Sequence, residues 1–94
     1  MTATAHTVTL YGAPGCHLCE EARAGLERLR AKHAFDLREV DIHSDADLAK
    51  RWLLEIPVIE VDGVVVTQAP LDLRAVERAL RRGQLPARTT RLPP

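Results

Sequence analysis

The chain holds two cysteines, in the run Cys16-His17-Leu18-Cys19. On a helix, residues three apart share a face one turn from each other, so both sulfurs can reach one reacting atom. Two thiols so placed support two chemistries. One is thiol–disulfide exchange, in which one thiolate attacks a disulfide and the second thiol resolves the mixed disulfide. The other is capture of a soft ion such as Cu(I), the work of a thiolate metallochaperone. A structural zinc site needs four ligands. His6, His17, His33 and His43 are scattered and there is no second cysteine pair, so the sequence supplies no zinc site within one chain. Two cysteines are also too few for a disulfide scaffold.

The surroundings of the pair favour exchange. Gly12-Ala13-Pro14-Gly15 is turn chemistry, and the residues after it begin a helical pattern. A thiol at a helix N-terminus meets unpaired N–H donors and the positive end of the macrodipole, which favour the reactive thiolate. Cys16, the N-terminal and more exposed member, is the expected nucleophile. Cys19, beside the Ala22/Leu26 apolar stripe, is the expected resolving thiol and the more buried one. His17 has two readings, an imidazolium that steadies the Cys16 thiolate or a plain solvated residue. Glu20 and Glu21 read as first-turn charges that suit the dipole, or as a proton shuttle for Cys19.

The rest of the chain must position this segment. Thr7–Tyr11 is β-branched and ends at Gly12, a first strand. From Cys16 to Lys32, Leu18, Ala22, Gly25, Leu26 and Leu29 recur at helical spacing. Phe35–Asp41 reads as a second strand, and Ser44 or Asp45 as the cap of a short helix to about Leu53. Pro57–Val61 and Val64–Thr67 read as strands joined by Asp62-Gly63, a two-residue hairpin signal. Leu73, Val76, Ala79 and Leu80 mark a last helix that Gly83 can close. The order is β-α-β-α-β-β-α, an α/β fold with a four-stranded mixed sheet flanked by three helices. Residues 1–6 are expected to form a flexible N-terminus, 7–83 the domain and 84–94 a flexible C-terminal tail.

Composition narrows the class. The 94 residues suit a single domain, and Tyr11, Phe35 and Trp52 are its only aromatics, so the core is aliphatic. Thirteen basic and thirteen acidic side chains balance, without the basic excess that phosphate contacts demand. No nucleic-acid partner is expected. The C-terminal arginines (Arg74, Arg78, Arg81, Arg82, Arg88, Arg91) read as a solvated face rather than a docking patch. No apolar run approaches the roughly 20 residues of a membrane span. Met1–Thr7 lacks a signal peptide's basic and apolar regions. The expectation is a cytoplasmic monomer with no membrane partner. His33 and His43 read as surface residues, Trp52 as a core or rim anchor, and Tyr11 as core packing with substrate contact as its second reading.

The segment Leu10-Tyr11-Gly12-Ala13-Pro14-Gly15-Cys16-His17-Leu18-Cys19-Glu20-Glu21-Ala22 resembles the active site of the short bacterial glutaredoxin-like family of the thioredoxin superfamily. Val40-Asp41-Ile42 and Ile56-Pro57-Val58 fall where that family has its second strand and its cis-proline. The similarity runs from about Thr7 to Leu80. It implies a thioredoxin-like fold and thiol–disulfide oxidoreductase activity on Cys16 and Cys19. The implied substrate groove is formed by Pro57, Ile56, Pro14, His17 and Tyr11, with Pro57 in a cis bond against the cysteines and the Ile56 backbone free to pair with an extended substrate. No bound organic cofactor is implied. The substrate is a disulfide-containing protein or a low-molecular-weight thiol, with glutathione as a candidate reductant. An iron–sulfur cluster shared between two chains belongs with single-cysteine relatives, not with this pair. Three departures stand out. His17-Leu18 replaces Pro-Tyr, Glu55-Ile56-Pro57 replaces Thr-Val-Pro, and Thr67-Gln68-Ala69-Pro70 replaces the Gly-Gly that holds the glutathione carboxylate. They separate glutathione recognition from dithiol exchange, which the cysteines alone imply. The contrasting reading is a non-catalytic interaction module that keeps the fold and docks a partner in the same groove.

Overall fold

The computed structural model describes residues 6–83. β1 (His6–Gly12) leads through α1 (His17–Arg30) to β2 (Phe35–Asp41). A single 3-10 turn (Ile42–Ser44), α2 (Ala46–Trp52), β3 (Val58–Val61), β4 (Val64–Thr67) and α3 (Leu73–Gly83) follow. The element order is the one expected from periodicity. The expected C-terminal tail, 84–94, and residues 1–5 lie outside the described residues. His6, placed above in a flexible terminus, is instead the first residue of β1. It pairs in register with Phe35, and its ring contacts the Asp62 carboxylate.

The strands lie in the order β2-β1-β3-β4. β1 and β2 are parallel from His6↔Phe35 to Gly12↔Asp41, which requires the crossover that α1 supplies. β3 runs antiparallel to β1 and pairs Tyr11 with Val58 and Leu10 with Ile59. β4 completes an antiparallel hairpin with β3. Asp62 (φ 52°) and Gly63 (φ 87°) occupy the two left-handed positions that a tight hairpin turn demands.

Alternation along β1 divides the core. Val8 and Leu10 face one side with Ile59 and Val61, and are covered by Ala22 and Leu26 of α1 and by Val76 and Leu80 of α3. The two helices approach closely because Gly25 has no side chain. A Cβ there would stand 2.3 Å from Leu73 Cδ1. Tyr11 and Val58 face the other side, where Trp52, Ile42, Leu48, Ala13 and Ile56 form a second cluster beneath the loop that leads to the cysteines.

Two local readings change and a third is settled. Leu18 is not part of the buried stripe: it is 51% exposed, and Cys19 takes the inward position beside Ala22. His33 is buried, not on the surface. Its Nε2 meets Glu77 Oε2 at 3.0 Å and ties the end of α1 to α3. Asp45, rather than Ser44, caps α2 through the Asp47 N–H (2.8 Å), because the Ser44 hydroxyl is donated to the Asp41 carbonyl at 2.7 Å.

Asp62 clamps the open end of the sheet. Its carboxylate accepts the Thr7 N–H at 2.9 Å, and this bond, assisted by His6, holds its pKa below the ordinary 3.8 against the opposing effect of burial. A lowered carboxyl pKa adds stability that is complete above the unfolded value and disappears as pH falls through the folded one. Asn tolerates the left-handed backbone but lacks the charge. Asp62→Asn is therefore expected to cost about 0.5–1 kcal/mol at neutral pH, as a half-exposed charged hydrogen bond should. Urea denaturation should show the two proteins converging as pH falls through the lowered folded pKa of Asp62, below which both side chains are neutral.

Candidate active site

The active-site loop is a tight turn that hands the chain from β1 to α1. Pro14 occupies its second position. Gly15, at φ 79°, occupies the third, and the Cys16 N–H is donated to the Ala13 carbonyl at 3.2 Å. Only glycine takes that third position without strain. The turn delivers Cys16 to the capping position of α1, in extended conformation (φ −88°, ψ 105°). Its sulfur accepts the Cys19 backbone N–H at 3.1 Å. A sulfur thus stands where an N-cap serine or aspartate oxygen would, and takes up one of the donors that the first turn leaves unpaired.

Cys16 and Cys19 are joined as a disulfide. Cys16 is half-buried and Cys19 is 7% exposed. Gly12 explains how Cys19 fits. A Cβ at Gly12 would stand 3.0 Å from the Cys19 sulfur and 3.1 Å from its Cβ, so the last residue of β1 must be bare for Cys19 to seat over it. Sequence reading took Gly12 for a strand terminator. A glycine before Ala-Pro-Gly carries the same local signal whether or not a sulfur rests on it.

The residues expected to line a groove separate onto two flanks. On the β3 flank the Ile56–Pro57 peptide is cis, and Pro57 precedes Val58, the partner of Tyr11, so it falls beside Gly12 at the strand end. Pro57 is fully buried. Ile56 is not wholly free to pair with an extended chain, because its N–H is donated to the Trp52 carbonyl at 3.1 Å. Tyr11 joins Ile56 in the second cluster, 6.1 Å from the Trp52 ring, and donates its hydroxyl to Glu60 at 3.1 Å. Burial, then the Glu60 carboxylate, raises the phenol above its ordinary 10.0. His17 is exposed, and its Nε2 meets Glu21 Oε2 at 3.0 Å, so Glu21 points to His17 and not to Cys19.

On the β2 flank lies a cavity of about 300 Å³ whose walls include Cys19, Pro14, Glu20, Arg23 and Glu39. Of the five expected groove residues, only Pro14 borders it. Arg23 and Glu39 were not singled out from sequence, since charges on a helix face and a strand look alike until the fold brings them together.

The segment that replaces Gly-Gly is closed on itself. The Thr67 hydroxyl oxygen accepts the Asp72 N–H at 3.1 Å, and the Ala69 N–H is donated to the Glu55 carbonyl at 3.1 Å. The Ala69–Pro70 peptide is cis. Two backbone donors of this segment, the Ala69 and Asp72 N–H groups, are thus engaged within the fold.

A family pattern described as Glutaredoxin-like domain (DUF836) matches residues 7–81, from β1 into α3. The chain belongs to this glutaredoxin-like family. Among solved structures it is similar to protein Ne2328 from Nitrosomonas europaea, at 27% identity and a TM-score of 0.75, covering 85% of this chain and 96% of that one. It is also similar to protein XcR50 from X. campestris, at 30% identity and a TM-score of 0.64, covering 80% and 96%. The thioredoxin of Halobacterium salinarum shares the fold at 18% identity, with a TM-score of 0.61 over 95% of this chain and 78% of that one. No curated protein matches. The family, the thioredoxin-like fold and the Cys16–Cys19 disulfide together place this glutaredoxin-like protein in thiol–disulfide redox chemistry.

Gly12 offers a direct check on this geometry. In the oxidised form the Cys19 sulfur is tethered to Cys16 and cannot turn away from an added methyl, whereas a free thiol can. Gly12→Ala should therefore weaken the disulfide form by about 1 kcal/mol relative to the dithiol, raising the reduction potential by ~20 mV. Equilibration in glutathione redox buffers measures it. An unchanged potential would remove Gly12 from the site.

Proposed function

We propose that this glutaredoxin-like protein is a dithiol oxidoreductase that reduces disulfides of a protein or of a low-molecular-weight thiol in its oxidised form. It acts as a cytoplasmic monomer without a bound organic cofactor, and a cellular thiol pool recycles it. The reading rests on the Cys16 sulfur at the cap of α1, accepting the Cys19 N–H at 3.1 Å. A donor already aimed at the sulfur stabilises negative charge there without reorganisation, which is what a nucleophilic or leaving thiolate needs.

In the reductive direction the Cys16 thiolate attacks one sulfur of the substrate disulfide. The other substrate sulfur leaves as a thiolate and takes a proton. Cys19 then loses its proton and attacks Cys16. The Cys16–Cys19 bond forms, the bond to the substrate breaks, and the second substrate thiol is released. Two electrons pass from the cysteine pair to the substrate. The thiol pool returns them by the reverse exchange.

The flanks qualify substrate recognition. With its N–H held by Trp52, Ile56 offers an extended substrate its carbonyl alone, and Pro57, fully buried, shapes the site from beneath. Pro14, His17 and Tyr11 frame the approach. Glutathione enters this scheme as a general thiol reductant; two of the donors in the Thr67–Asp72 segment are bonded within the fold.

Single-cysteine variants test the assignment. Cys19→Ser, challenged with a small disulfide, should hold a stable mixed disulfide on Cys16 that mass spectrometry detects. Cys16→Ser should form it at least tenfold more slowly, because the remaining thiol is buried and uncapped. Equal trapping by both variants would overturn the roles. A wild-type protein that reduces small disulfides no faster than free cysteine would point instead to an interaction module.

A further inference from the structure

The cavity on the β2 flank is not used by the attack of Cys16, yet one of its walls is Cys19. Cys19 sits over Gly12 with 7% of its surface exposed. To resolve a mixed disulfide it must shed a proton and carry negative charge. Burial opposes both. A cavity of about 300 Å³ has room for several waters, so it can pass a proton from Cys19 to solvent. The electrostatics of its walls then decide how readily the thiolate forms.

Arg23 is the one cation among the residues that line the cavity, against the carboxylates of Glu20, Glu39 and Asp41, the last of which also accepts the His43 N–H at 2.8 Å. Arg23 lies four residues beyond Cys19 on α1, the spacing that stacks side chains on one face, and it borders the same cavity. Its Nε donates to Glu39 Oε1 at 3.1 Å. Glu39 comes from β2 and also lines the cavity, so the half-exposed guanidinium is tethered to a second residue of the same walls. Arginine keeps its charge at every relevant pH and cannot accept a proton. It can therefore stabilise the thiolate but not deprotonate the thiol. Glu20 supplies a carboxylate on the same walls that can take the proton through water.

We infer that the Arg23–Glu39 pair and the cavity it borders control the ionisation of the resolving thiol Cys19. Arg23 is a positioning charge for the second step, and Glu39 moderates it. This deepens the dithiol reading and rests on it.

The two partners of the pair have opposite effects. Loss of the cation destabilises the Cys19 thiolate. Loss of the carboxylate frees the cation from its counter-charge and stabilises that thiolate. A salt bridge that served only to fasten α1 to β2 would lose the same contact in either variant and move both in one direction.

The experiment is stopped-flow reaction of the reduced full-length protein with 5,5′-dithiobis(2-nitrobenzoic acid) across pH 5–9. Attack by Cys16 releases one coloured thiol and resolution by Cys19 releases the second, so the two steps appear as successive phases. Arg23→Gln should raise the pH midpoint of the second phase by about one unit and slow it about tenfold near neutrality. Arg23→Lys should recover part of the loss. Glu39→Gln should lower that midpoint. The first phase should move by less than about twofold in all three, because its thiolate is held by the helix cap. Midpoints that shift together, that stay in place, or that move equally in both phases overturn the assignment. A wild-type protein that releases only one coloured thiol overturns the dithiol reading, and this assignment with it. A wild type with two phases and immobile variants overturns this assignment alone.

Discussion

A sulfur closes the first turn of α1. That contact, from the Cys19 N–H to Cys16 at 3.1 Å, organises much of the molecule around it. It exists only if Cys16 stands in extended conformation at the cap, which requires the Pro14-Gly15 turn to reverse the chain between β1 and α1. The turn in turn needs β1 to end beside α1, and the parallel β1–β2 pairing with its helical crossover enforces that. Stability and reactivity share one hydrogen bond here. The donor that would otherwise be an unpaired helix end is the group that favours a charged sulfur.

The two cysteines divide the surroundings between them. Cys16 faces outward and draws on the helix cap. Cys19 faces inward, between bare Gly12 and a cavity with both apolar and charged walls, and draws on the charges that cavity presents. The β3 flank, with buried Pro57 and the Tyr11–Trp52–Ile56 cluster, is apolar and closed. The β2 flank carries the exposed charges of Arg23, Glu20 and Glu39. One sheet therefore gives the site an apolar side and a charged side, because adjacent strands on either edge of β1 lead into different loops.

Kinship with the glutaredoxin-like family does not carry every family feature into this chain. The Thr67–Asp72 segment, which stands in place of Gly-Gly, is built from a hydroxyl cap and a backbone bond to Glu55. The link between Ala69 and Glu55 also ties the loop before Pro57 to the loop before α3. This region of the surface thus serves internal cohesion.

Sequence alone determined the element order, the hairpin at Asp62-Gly63, the placement of the cysteine pair at a helix start and the inward lean of Cys19. Each follows from local rules: periodicity, turn chemistry and the distance between neighbours on one helix. It misjudged Leu18 and His33, because a helical stripe is wide enough to admit either Leu18 or Cys19, and because a histidine after a helix is buried only if another helix offers it a partner such as Glu77. Only the tertiary structure decided that Gly12 makes space for a sulfur, that Ile56 has already given away its N–H, and that Arg23 meets Glu39 beside Cys19. These are contacts between elements distant along the chain. Residue type and spacing carry no record of which strand edge a given helix face will meet.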